Sequence, residues 1–125
     1  GKEVARHRLE TTGKPVSLKV ETENPGWKAN GMDLQYVKIY AVDAKGSKVP
    51  VSGTEVTFKV EGNAELFAVD NGDHLTDELY SGNEISMHNG FAMAILRSTQ
   101  NAGAVKMNIL ANGLKRTTIN LSTVE

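Results

Sequence analysis

The apolar residues of this chain alternate with polar ones in short runs separated by clusters of turn residues, and that period of two limits the possible folds most. An extended strand points successive side chains to opposite faces, so alternation buries one face and leaves the other to water. Val16, Leu18 and Val20 alternate with Ser17, Lys19 and Glu21; Val56, Phe58 and Val60 with Thr57, Lys59 and Glu61. Val105, Met107, Ile109 and Ala111 repeat the pattern, and Val, Ile and Thr, which favour strands, together outnumber Ala, Leu and Met. The expectation is an all-β chain.

The breaks fall at Asn24-Pro25-Gly26, Asp43-Ala44-Lys45-Gly46, Pro50 to Gly53 and Asp70-Asn71-Gly72-Asp73, residues that fix φ, supply positive φ or bond their own backbone. From Leu34 to Val42 the apolar parity shifts, with Leu34 and Tyr36 on one face and Val37, Ile39 and Ala41 on the other, which predicts a bulge or a strand covered on both sides. Leu66 to Val69 is a short apolar piece. His74 to Asn89 reads as a loop between sheets with one short strand near Ile85 to Met87. Phe91 to Leu96 is apolar at both parities, as a central strand is, and Ala92 and Ala94 are expected to let something pack closely on its second face. Asn112-Gly113 predicts a tight hairpin into Leu114 to Thr123. About seven to nine short antiparallel strands point to a two-sheet sandwich of the immunoglobulin-like type.

At 125 residues the chain is one domain, read as 12–125, with 1–11 a linker or an expression remnant. It starts without methionine and reads as a piece of a longer protein, so compartment belongs to the parent. It has no cysteine, which removes disulfides, thiol nucleophiles and cysteine zinc sites. A net charge of -1 gives no pull toward nucleic acid or anionic lipid, and no apolar run approaches a membrane span, so neither nucleic acid nor membrane is expected as a partner.

The candidates for chemistry are few. His7, His74 and His88 lack zinc-site spacing and read as exposed side chains. Asp70, Asn71, Asp73 and Asp77 bring oxygen ligands together without the spacing of a calcium loop; Asp70, Asn71 and Asp73 are the candidate metal ligands, against a turn whose side chains bond their own backbone. Asp73, Asp77, Glu78 and Glu84 could supply a carboxylate pair, but nothing selects two of them, so no catalytic residue and no cofactor is expected. Exposed rings can stack on sugars, which makes Trp27, Tyr36 and Tyr40 the candidate carbohydrate-binding residues. Trp27, after a Pro-Gly turn, is expected to be partly exposed or else to cover the open edge of the core. Tyr36 and Tyr40 form an exposed patch or an interface with a neighbouring domain.

Gly13-Lys14-Pro15 before an alternating strand, then Ala29-Asn30-Gly31-Met32-Asp33-Leu34 running into Tyr36-Val37-Lys38-Ile39, resembles the C-terminal immunoglobulin-like domain of glycoside hydrolase family 2 enzymes of the β-galactosidase type. Val56 to Gly62, Asp70 to Asp73, Asn89 to Ser98, Ala102-Gly103 and Gly113-Leu114-Lys115 agree in order, so the resemblance spans about Thr12 to Leu121. The chain departs from the family after Asp73, where His74-Leu75-Thr76-Asp77-Glu78 replaces a proline and a histidine-glutamate step. The resemblance implies a non-catalytic accessory domain in a bacterial glycosidase whose two catalytic glutamates lie on a barrel elsewhere in the parent. It implies the other domains of that parent as partners, possible contact with polysaccharide, and a periplasmic or secreted location. The alternatives are a carbohydrate-binding module and a spacer repeat of a surface adhesin.

Overall fold

The computed structural model describes residues 13–71 and 83–125. Eight strands form two four-stranded sheets, and every pairing between named strands is antiparallel. In chain order they are β1 (Ser17–Thr22), β2 (Leu34–Val42), β3 (Glu55–Gly62), β4 (Ala64–Asp70), β5 (Glu84–Ser86), β6 (Phe91–Ser98), β7 (Gly103–Ala111) and β8 (Thr117–Thr123). The first sheet has the order β1-β2-β6-β4 and the second β5-β3-β7-β8, an immunoglobulin-like sandwich.

The inward faces are the alternating apolar sets. Val37, Ile39 and Ala41 of β2, Val56 and Phe58 of β3, and Val105, Met107 and Ile109 of β7 are all buried and meet in one core. Burying the full side chain of a Val, Ile, Leu, Phe or Met contributes about 1.5–3 kcal/mol, so this alternation is the main source of stability in a chain without disulfides. Gln35 stands on the same inward face and is buried. Its Oε1 accepts from the backbone N–H of Glu23 and Asn24, and its Nε2 donates to the Asn24 carbonyl. The amide thus takes the place of a strand partner just where β1 ends.

Three details differ from the pattern read in the sequence. The register of β2 runs without interruption against both β1 and β6, so its parity shift marks no bulge but an outer face that is itself apolar and part-exposed; the bulge lies in β4, between Leu66 and Ala68. On β6 it is the alanines, Ala92 and Ala94, that face the core with Leu96, while Phe91, Met93 and Ile95 are half-buried on the outside. Small inward residues let the facing sheet's large side chains, Phe58 and Met107, fill the interior. Asn112-Gly113 does turn the chain, with Leu114 N–H donating to the Ala111 carbonyl, but only Gly113 has positive φ, so this is not the two-residue turn that would continue the ladder. The backbone departs instead so that Lys115 N–H reaches the Val16 carbonyl, and pairing resumes at Ile109↔Thr117.

The tight turn of that kind is Asn89-Gly90. Both residues have positive φ, 51° and 76°, and His88 and Phe91 exchange both backbone hydrogen bonds across it. It carries the chain from β5 in one sheet to β6 in the other, and Gly90 N–H donates to Val51. The chain enters the sandwich beside the end of β2: Val16 N–H donates to Val42, and Gly13 N–H to Asp43 Oδ2. It leaves at the opposite end, where Lys28 and Val124 form a parallel bridge and Val124 N–H donates to Trp27.

Candidate functional site

Trp27 lies in the core with 2% of its surface accessible, which corrects the expectation of a partly exposed ring. It closes the end of the core beyond β1, and its indole Nε1 donates to the Asp33 carbonyl at 3.0 Å. The reason lies in Asp33: its Oδ2 accepts from Lys28 N–H and Asn24 Nδ2, and its N–H donates to Asn30 Oδ1, so the whole 24–33 loop wraps around the indole. The hydrogen bonds to that carboxylate, the Lys28 amide first and then Asn24, hold the Asp33 carboxyl below its ordinary range. A ring so covered offers no face to a sugar.

Asp70 ends β4 with its Oδ1 accepting from the Asn71 N–H. Asn71 is buried, and its Nδ2 donates to the Ser86 carbonyl, tying β4 to β5 and one sheet to the other. Asp73 lies outside the described residues, as do His7, His74, Asp77 and Glu78. Among the described residues no three His, Asp or Glu side chains gather as metal ligands would. His88 carries the Asn89-Gly90 turn through its backbone, and Glu84 is exposed on the outer side of β5.

Tyr36 and Tyr40 are brought together on the outer face of the first sheet, where cross-strand register sets Tyr40 beside Phe91, Lys38 beside Met93 and Tyr36 beside Ile95. The Tyr40 and Phe91 ring centroids are 5.4 Å apart at a tilt of 49°. Beyond β6, the β4 bulge turns Phe67 outward, leaving it 48% exposed. Two cations cap these rings: Lys48 Nζ lies 4.0 Å from the Tyr40 centroid, and the Arg97 guanidinium carbon 5.4 Å from that of Phe67. Arg97 also pairs with Glu65, Lys19 with Glu21, and Lys38 with Glu23, whose carboxylate raises the Lys38 pKa. Sequence reading named the tyrosines but not Phe67, Phe91, Met93 and Ile95 as their neighbours. The apolar residues at both parities of Phe91 to Leu96 were the available signal.

The other outer face is different. Glu55, Thr57, Lys59 and Glu61 of β3 stand with Lys106 and Asn108 of β7 and Thr118 and Asn120 of β8, a polar surface. An open groove of about 650 Å³ along it is lined by residues including Thr57, Lys59, Glu84 and Arg116. It lacks the dry walls that separate the pKa values of a catalytic carboxylate pair.

Fold and surface together define an immunoglobulin-like β-sandwich module with one apolar, aromatic outer face and one polar one. Residues 18–120 match the family described as glycoside hydrolase family 2 C-terminal domain 5, and the chain belongs to that family. It is 27% identical over 125 residues to the β-galactosidase BoGH2A of Bacteroides ovatus, covering 100% of this chain and 15% of that protein. It is 28% identical over 119 residues to a β-glucuronidase of Formosa agariphila, covering 92% of this chain and 12% of that protein. A crystal structure of a glycosyl hydrolase family 2 member from Bacteroides cellulosilyticus superimposes with a TM-score of 0.86 at 24% identity, over 94% of this chain and 15% of that one. The chain therefore spans only a small part of the length of the relatives it matches.

Proposed function

We propose that this chain is the non-catalytic C-terminal accessory domain of a bacterial family 2 glycosidase of the β-galactosidase type, supporting the architecture of the enzyme or access of substrate to it. The carrying observation is the family match over residues 18–120 combined with coverage of just 15% of the length of the β-galactosidase relative. About 85% of the length of that relative lies outside the match, ample room for a catalytic barrel of about 250 residues. The resemblance also supports a periplasmic or secreted parent, which cell fractionation of the source bacterium tests.

The reading is tested by assaying aryl β-galactoside hydrolysis with the 125-residue chain alone, with the parent enzyme, and with the parent lacking residues 12–125. Turnover is expected from the parent only, and removal of the domain lowers its thermal midpoint or its kcat/KM. Hydrolysis by the isolated chain above a heat-killed control would overturn the reading, and so would a parent composed of immunoglobulin-like repeats without a barrel.

A further inference from the structure

We infer that the outer face of the first sheet, centred on Tyr36, Tyr40, Phe91, Met93 and Ile95, is the surface by which this domain seats against the domain preceding it in the parent polypeptide. The inference rests on the accessory-domain reading and adds to it the face and the chemistry of the contact.

Four observations carry it. The two outer faces have opposite character, one aromatic and aliphatic, the other polar. Aromatic residues, Met and Arg are the types enriched at protein interfaces, and here they occupy the two middle strands around Lys38, whose ammonium is paired with Glu23, while Lys19, Glu21 and Glu65 lie on the outer strands. From Leu34 to Tyr40 and across four strands the whole outer face measures roughly 300 Å² in plan, from strand rise and spacing, about one side of a small interdomain contact. The described chain also begins beside this patch: Gly13 to Val16 run along Val42 and Asp43, two residues past Tyr40, which puts its N-terminal end at the Tyr40–Phe91 edge.

The occupant is therefore an apolar surface of the preceding domain. Lys48 sets its rim: among the described residues it touches the Tyr40 ring and forms no ion pair, leaving its ammonium for a carboxylate on that domain. A sugar fits less well, because Lys48 covers the Tyr40 face and Arg97 the Phe67 face that a pyranose would stack on.

Hydroxyl-radical footprinting read by mass spectrometry, on the full-length enzyme and on the 125-residue chain, tests this. Tyr36, Tyr40, Phe91 and Met93, part-exposed in the chain alone, are expected to react about two- to threefold more slowly in the enzyme as they become buried at the contact. Met32, 77% exposed on the 30–33 loop, and Leu110 on the polar face should keep their rates. Tyr36→Lys in the enzyme should split the domain's melting from that of the rest, while the same substitution in the 125-residue chain shifts its midpoint by only about 3 °C or less. Equal rates in both forms, or slowing at Leu110 instead, would overturn the inference. So would slowing in the chain alone as its concentration rises, which gives the face to a second copy, or slowing on addition of galacto-oligosaccharide, which gives it to glycan. If the parent has no glycosidase barrel yet these residues are protected in it, the accessory-enzyme reading falls and the face assignment stands.

Discussion

Gly90 and Gly113 allow the cost of a close backbone approach to be measured apart from the cost of an unusual φ. Their φ values are nearly equal, 76° and 79°. A Cβ on Gly113 would meet nothing within 4 Å, whereas one on Gly90 would lie 2.1 Å from the Val49 carbonyl oxygen and 3.1 Å from its carbon. Alanine at either site carries the left-handed penalty of about 1–2 kcal/mol, and both substitutions reduce unfolded-chain entropy alike. Gly113→Ala should therefore cost about 1 kcal/mol. Gly90→Ala adds an overlap with backbone, which moves only by displacing the Val49–Val51 segment that Ala41 and Gly90 both bond. Overpacking of that kind costs about 1–3 kcal/mol, giving a total of about 2–4 kcal/mol. For a domain of this length the whole stability is roughly 6–19 kcal/mol, so the loss is large. Urea unfolding of the two variants, compared at unchanged m, reads the difference. Midpoints that correspond to equal losses within about 0.5 kcal/mol would show that the loop yields freely, and the steric argument would be wrong.

Trp27 is the chain's single tryptophan, so its emission should be blue-shifted and poorly quenched by acrylamide in the folded protein, and Trp27→Ala should cost about 3–5 kcal/mol in the same urea assay. Gln35→Met, similar in shape, strips partners from Glu23 N–H, Asn24 N–H and the Asn24 carbonyl, and should cost about 2–4 kcal/mol; a neutral result would mean water replaces the amide. Asp43 accepts from Gly13, Ser47 and Lys45 N–H, and these bonds, Gly13 first, hold its pKa below the ordinary 3.8. Its stabilisation is present above that value and is lost as pH falls through the lower folded-state value, so the midpoint gap between wild type and Asp43→Asn should stay constant above about pH 5 and close in acid.

The strands were legible because burial on one face writes itself as alternation. Val37, Ile39 and Ala41, or Val105, Met107 and Ile109, need no tertiary knowledge to be placed inward. What stayed hidden was set by contacts distant in sequence. Two Asn-Gly pairs look alike, yet Asn89 adopts positive φ and Asn112 does not, because Lys115 is drawn away to Val16 while Gly90 is held between Val51 and Ala41. On β6 both faces are apolar, so hydrophobicity could not say which looks inward; the volume of Phe58 and Met107 opposite decides for the alanines. Trp27 follows a turn signal, but Asp33, six residues on, gathers the loop over it. Of the aromatic face, Tyr36 and Tyr40 were visible by parity, whereas Phe67 depends on a bulge with no sequence mark.

The opposed ends at which the backbone enters and leaves give the sandwich a mechanical axis. Tension between flanking segments would run lengthwise from Val16 to Val124, about 30 Å along a strand such as β2. Under that load β1 and β2 would slide along each other, straining their rungs together and not one after another, so the module would resist as a strut before it could be peeled open.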